Sequence, residues 1–282
     1  MSLMSKLLSL AALATLSLNA TMDVDDVKDY IKHHMVKNEQ VKVESVDIIG
    51  TKVLDDPKGW EVYFVNIHAS VKKSPTIIDK VTVPETLFVK DGFAVPTLIS
   101  MESGEDLKRN LKPNLKKEVY DKNHLIAGNK DAKHKIVVFS DPQCPFCQTI
   151  VPELYTAAVD NPDTFALYYY HLPLLRIHPA SDTTSRAMLI FQKNHDVNKL
   201  KKMYHLLVNP RERDAGIILK EINKQVGTKI KRVHIYTDEI EKDLKEDHTL
   251  KKHLMVTGTP TIFIDDVWDP TRFAYKNYLP KK

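Results

Sequence analysis

Among the 282 residues of this chain there are two cysteines, and both fall in one Cys-x-x-Cys, within Asp141-Pro142-Gln143-Cys144-Pro145-Phe146-Cys147-Gln148. A pair so spaced can form a small redox-active disulfide. It leaves no thiol for a structural bridge, so the fold must be held by its apolar cores alone. About 260 residues remain after the leader described next, enough to bury a sizeable core and to make two domains.

Residues 1–20 read as a secretory signal. Met1 to Lys6 give a short basic start, Leu7 to Leu18 are almost all apolar, and Leu18-Asn19-Ala20 offers a small residue at the cut. The apolar run is about half of the ~20 residues that a membrane-spanning helix needs, and Asp23, Asp25 and Asp26 follow it. The mature chain is expected to begin near Thr21 and to work in an oxidising compartment. Exported proteins usually use cysteines as several staples. One close pair staples almost nothing, so it points to chemistry.

The formal net charge of +4 is small against 41 basic and 37 acidic residues. No basic block is interleaved with aromatic residues, which argues against nucleic acid as a partner. No glycine-rich phosphate loop is present, so no nucleotide or other cofactor is implied.

Residues 21–102 read as a small α+β domain. Asp23 can cap a helix whose apolar positions Val24, Val27, Ile31 and Met35 recur at three- and four-residue intervals. Trp60 to Val71 is dense in β-branched and aromatic residues, and Thr86 to Lys90 faces Phe93 to Val95 across Asp91-Gly92, a two-residue hairpin signal. His33 and His34 adjoin on the first helix without a third ligand, as expected of a solvated face. Over residues 103–127 the four-residue recurrence of Leu107, Leu111, Leu115 and Val119, with Ser103 and Asp106 as a capping box, predicts an amphipathic linker helix, bent or restarted at Pro113.

Residues 128–282 carry the cysteines. Lys135 to Phe139 is a short β-branched strand, and a helical pattern follows Cys144 directly. The strand therefore delivers Cys144 to a helix start, where free amides and the positive end of the helix dipole stabilise a thiolate. Pro145 suits the first helical position. Cys144 is expected to be the attacking sulfur and Cys147, a turn deeper, the resolving one.

These residues resemble the thioredoxin-fold disulfide oxidoreductases, especially the periplasmic DsbC and DsbG isomerases. Val138 to Cys147 looks like the DsbG strand and active-site turn, Pro152 stands where the family kinks its active-site helix, and Thr257-Gly258-Thr259-Pro260-Thr261 matches the cis-proline loop. The resemblance implies that Pro260 faces the dithiol through a cis peptide bond, and that Pro145, Phe146, Thr259 and Pro260 meet the substrate chain. It implies an α+β protein: a small cystatin-like dimerisation domain, a linker helix, and a thioredoxin-like catalytic domain with a helical insertion at about 179–255. Ala180 to Phe191, Lys199 to Leu207 and Ile217 to Val226 supply helical patterns there. The likeness further implies a V-shaped homodimer acting on unfolded or misoxidised exported proteins, recharged by a membrane partner of the DsbD or DsbB type.

Pro-Phe between the cysteines replaces the Gly-Tyr of DsbC and the Pro-Tyr of DsbG, and lacks the imidazole of the DsbA Pro-His, so a less extreme oxidant than DsbA is expected. Val138 stands where relatives place a buried carboxylate, leaving proton transfer at Cys147 to another group or to water. Asp141 and Glu153 are read as ordinary solvated charges. His171 and His178 could approach the dithiol as a Cys2His2 metal site, but their spacing is wrong for zinc and no metal is expected. The function indicated is isomerisation or reduction of disulfides. The alternatives are a dimeric DsbA-like oxidase and a peptide-binding chaperone with an incidental dithiol.

Overall fold

The computed structural model describes residues 23–74 and 76–280; the expected signal segment, residues 1–20, lies outside them. The protein is α+β and is organised around two sheets. Asp23 accepts from the Asp25 amide and caps α1 (Val24–Tyr30), which runs on into a wide turn, Ile31–Met35, where His33 and His34 are exposed. β1 (Val41–Val53), β2 (Glu61–Lys72), β3 (Ile78–Lys90) and β4 (Phe93–Val95) form an antiparallel sheet in chain order. The hairpin expected at Asp91-Gly92 is present: φ is 50° and 79° there, the left-handed pair that lets a two-residue turn follow the strand twist.

β2 lies inside this sheet and is apolar on both faces. Tyr63, Val65 and Ile67 pack with Val27 and Ile31 of the first helix, whereas Val62 and Phe64 turn the other way, onto Leu54 and Phe88. The second face is covered by the chain that follows the sheet.

That covering chain departs from expectation, because no α-helix forms over residues 103–127. Two short 3-10 turns, Leu107–Asn110 and Lys117–Val119, are joined by extended chain, and Asp106 rather than Ser103 caps the first of them. Pro113 lacks an amide donor and its ring disfavours helical geometry at Lys112. The leucine stripe is divided between two cores: Leu107 and Leu111 join Val62, Phe64 and Phe88, while Leu115 and Val119 pack under the second sheet with Val137 and Phe139. The Leu115 amide donates to the Asp266 carbonyl at 2.8 Å. The segment clasps the sheets together instead of spacing them apart. Met255 adds to the clasp: it packs beside Leu111, its carbonyl accepts from Lys112 Nζ at 2.9 Å, and its sulfur accepts from the Thr86 hydroxyl at 3.4 Å.

The second sheet contains β5 (Leu125–Gly128) and β6 (His134–Ser140), then α2 (Pro145–Asp160) leading to β7 (Phe165–His171). The insertion follows as α3 (Ser181–Lys193), α4 (Val197–Met203), α5 (Ala215–Ile222), α6 (Arg232–Ile235) and α7 (Asp238–His253). β8 (Thr261–Ile264) and β9 (Val267–Asp269) complete the spatial order β5-β7-β6-β8-β9, with β6 and β7 parallel. α3, α4 and α5 answer the three helical patterns, the second ending early at Met203. α7 has no counterpart among them because it is charged almost throughout. Its signals are the Thr237 cap, the acidic first turn and the basic last turn, which complement the helix dipole.

α2 buries Cys147, Ile150, Val151, Leu154, Ala157 and Ala158, a helical stripe facing Ile136, Val138, Leu167 and Tyr169 of the sheet. No helix of the described residues is long and apolar enough to cross a membrane.

Candidate active site

β6 ends at Ser140, and the next residues turn the chain so that Cys144 becomes the cap of α2, with its amide donating to the Asp141 carbonyl at 3.0 Å and its carbonyl accepting from the Gln148 amide at 3.0 Å. Pro145 occupies the first helical turn, where its missing donor goes unmissed. Cys147 is fully buried (0% exposed), Cys144 retains 4%, and Phe146 stands out at 63%. Both thiols are free.

Across from them, the Thr259–Pro260 peptide bond is cis, and Cys144 Sγ lies 3.6 Å from the Thr259 carbonyl oxygen. The structure thus brings Cys144, Cys147, Pro145, Phe146, Thr259 and Pro260, the residues singled out in sequence, to one place. Arg272, just past β9, lays its guanidinium 5.7 Å from the centre of the Phe146 ring, adding a cation at the rim.

The Cys147 thiol, hydrogen-bonded to the Cys144 sulfur, is the largest influence on Cys144 and pulls its pKa down to about 5. Burial opposes this, and Thr259 with the Cys147 and Phe146 amides of the helix start reinforces it. Burial, then the neighbouring Cys144 sulfur, pushes Cys147 far up. One sulfur is therefore a thiolate at neutral pH and the other its proton-bearing neighbour. The rate of Cys144 alkylation by iodoacetamide is expected to rise with a midpoint near pH 5, well below the ~8.5 of a free cysteine. Cys147→Ala removes the largest cause and should move that midpoint upward. A wild-type midpoint at pH 8 or above would contradict the assignment.

Asp141 departs from its sequence reading as a solvated charge: it is 0% exposed. One carboxylate oxygen accepts from the Gln143 amide at 2.8 Å and from the Ser181 hydroxyl; the other accepts from the Leu174 amide at 2.9 Å and from His178 Nδ1 at 3.0 Å. A charge buried this deeply persists only with such partners, and they tie the cysteine turn to the start of α3. Glu153 does lie at the surface, between Tyr275 and Lys276. Of the two histidines weighed as metal ligands, His178 belongs to Asp141, and His171 Nε2 pairs with Gln192 at 3.0 Å. Burial lowers the pKa of His171 to about 4, so it is neutral.

Below Cys147 lie hydroxyls that the sequence did not single out: Ser140, Tyr169 and Tyr204. Tyr204 arrives from the insertion, 57 residues after Cys147 in the chain, and no local motif announces it.

The thioredoxin family model matches residues 121–271, more than half of the chain. The chain belongs to the thioredoxin family. Several solved structures resemble this thioredoxin-family chain. A thioredoxin-like oxidoreductase from Silicibacter pomeroyi DSS-3 is 19% identical, with 58% of this chain and 95% of that one covered and a TM-score of 0.49. Proteus mirabilis ScsC in a transitional conformation is 26% identical, over 57% of this chain and 74% of that one, with a TM-score of 0.45. Oxidised BdbD from Bacillus subtilis is 17% identical, over 59% of this chain and 92% of that one, with a TM-score of 0.46. No curated protein matches the sequence.

Proposed function

We propose that the protein is an exported thiol:disulfide oxidoreductase of the DsbC and DsbG kind, which isomerises or reduces disulfides of periplasmic polypeptides through Cys144 and Cys147. One observation carries this reading: an acidic, slightly exposed sulfur at a helix start, 3.6 Å from the carbonyl of the residue before a cis proline. The Cys144 thiolate attacks a substrate disulfide, one substrate sulfur leaves with the electron pair, and a mixed disulfide forms. In isomerisation another substrate thiol attacks and frees Cys144. In reduction Cys147 attacks, closing the Cys144–Cys147 disulfide and passing two electrons to the substrate. Thr259 and Pro260 hold the substrate backbone beside Cys144, with Pro145 and Phe146 on the other side.

The proposed layout keeps residues 21–102 as a dimerisation domain and residues 128–282 as the catalytic domain. β1, thirteen residues long at the edge of the first sheet, is a surface on which strand pairing between two copies can occur. Removal of residues 21–102 is expected to yield a monomer that still exchanges disulfides with small substrates but loses most isomerisation of a scrambled multi-disulfide protein. Light scattering and a refolding assay check the two halves of that expectation. A truncated chain that stays dimeric would put the interface elsewhere.

The acidity of Cys144 favours one alternative, an oxidase. A folded pKa lowered well below that of a free thiol stabilises the reduced form at pH 7. The sign follows from the lowered value: this stabilisation is complete above the unfolded thiol's pKa and is lost as pH falls through about 5. A favoured reduced form makes the disulfide form a better oxidant. Acid-trapping and alkylation of the pair in its native compartment decides between them: mostly reduced supports an isomerase or reductase served by a DsbD-type donor, mostly oxidised an oxidase served by a DsbB-type partner.

A further inference from the structure

Cys147 sits at the bottom of the site with its pKa pushed up by burial, yet to resolve a mixed disulfide it must become a thiolate. Val138, on the strand that packs against α2, is apolar and offers no ionisable group. What the structure does offer is a line of hydroxyls. Ser140, at the end of β6, acts on the Cys147 thiol in the sense that favours its thiolate, against the burial. Ser140 Oγ lies 2.8 Å from the Tyr204 hydroxyl, and the Tyr204 hydroxyl lies 2.7 Å from that of Tyr169. All three residues are buried, and both tyrosines pack in the same core as Cys147. The ionisable groups facing Cys147 are Cys144 on its own helix, Tyr169 on β7 and Tyr204 beyond α4; Asp141 on the preceding turn acts on it through its backbone, its carboxylate being held by Gln143, Leu174, His178 and Ser181. Burial raises both tyrosines, so they stay protonated and act as hydroxyls, not as bases.

We propose, building on the dithiol reading above, that the Ser140–Tyr204–Tyr169 hydroxyl chain is the positioning device that stabilises the Cys147 thiolate during resolution. Each hydroxyl has one proton to donate and can accept another. With Cys147 as a thiol donating to Cys144, the chain runs outward, Ser140 to Tyr204 to Tyr169. When Cys147 gives up its proton, the three hydroxyls turn: Tyr169 donates to Tyr204, Tyr204 to Ser140, and Ser140 to the sulfur. The chain gains and loses no proton. Cys147 then attacks the Cys144 sulfur of the mixed disulfide, the bond to the substrate sulfur breaks, and that sulfur leaves with the electron pair and ends as a thiol, taking up the proton that Cys147 released. Hydrogen bonds to a charged group are the strong ones, and linked hydroxyls reinforce one another.

The test follows the adduct that reduced protein forms with oxidised glutathione, quenched in acid at intervals and weighed by mass spectrometry. Ser140→Ala is expected to lengthen the lifetime of the Cys144–glutathione adduct about tenfold, the effect of one lost hydrogen bond to a charged sulfur, and Tyr204→Phe, which removes the donor that reinforces Ser140, about two- to threefold. They should also raise the pH at which resolution is half-maximal, while the alkylation profile of Cys144 stays as in the wild type. Ser140→Thr keeps a hydroxyl and should restore the lifetime. Tyr204→Phe keeps the ring and its packing, so a fold defect in Ser140→Ala does not decide the matter. Unchanged adduct lifetime and pH profile in Tyr204→Phe overturn the hydroxyl chain alone. A wild-type protein that forms no adduct at Cys144 overturns the dithiol reading with it.

Discussion

Cys144→Ala is expected to lower the reduction of insulin-like substrates by at least about 10³-fold, the scale seen when an enzyme loses its nucleophile. The remaining cysteine cannot take over. Cys147 is fully buried, and burial and the neighbouring sulfur hold it protonated, whereas Cys144 keeps a path to solvent and a pKa of about 5. The complementary variant separates the two steps. Cys147→Ala keeps the attacking sulfur, with its pKa raised, and removes resolution, so mixed disulfides with substrate should accumulate at pH above that pKa and be visible after acid quenching. Insulin turbidity measures the first effect and non-reducing gels the second. Normal turnover by Cys144→Ala would move the nucleophile to another residue.

Asp141→Ala is expected to destabilise the catalytic half by about 3–5 kcal/mol, because it strands the groups that now donate to a buried carboxylate. Against the ~5–15 kcal/mol that holds a typical domain together, this is a large fraction. The loss falls at one point. The Gln143 amide belongs to the cysteine turn, the Leu174 amide and His178 to the segment after β7, and the Ser181 hydroxyl to the first turn of α3. Asp141→Asn should do little better, since each carboxylate oxygen faces two donors and the amide NH₂ would have to point at one pair of them. Thermal unfolding should show a drop of about 10 °C or more for the alanine variant. A shift within 2 °C would mean that water replaces the carboxylate without loss.

The dithiol was legible because its determinants are local. A strand, a proline after the first cysteine and a helical stripe are contiguous, and the Thr259-Pro260 loop precedes a recognisable strand, so each part declares itself within ten residues. The burial of Asp141 is not legible, for the opposite reason. Beside the motif it looks like a surface charge, and only the arrival of Leu174, His178 and Ser181 from beyond β7 removes it from water. Ser140, Tyr169 and Tyr204 were illegible for the same cause. The linker failed differently: Leu107, Leu111, Leu115 and Val119 have the period of a helix, but spacing does not reveal that two separate cores divide them. α7 hid behind its charges, since a helix that buries little of its surface offers no stripe to count.

Met255 stands four residues ahead of Thr259 and is held by Thr86 of one sheet and by Lys112 of the covering chain. The amino-terminal half therefore has no free joint at this point. The loop facing Cys144 is anchored on both sides of this joint, to β3 through a thioether and to the covering chain through an ammonium.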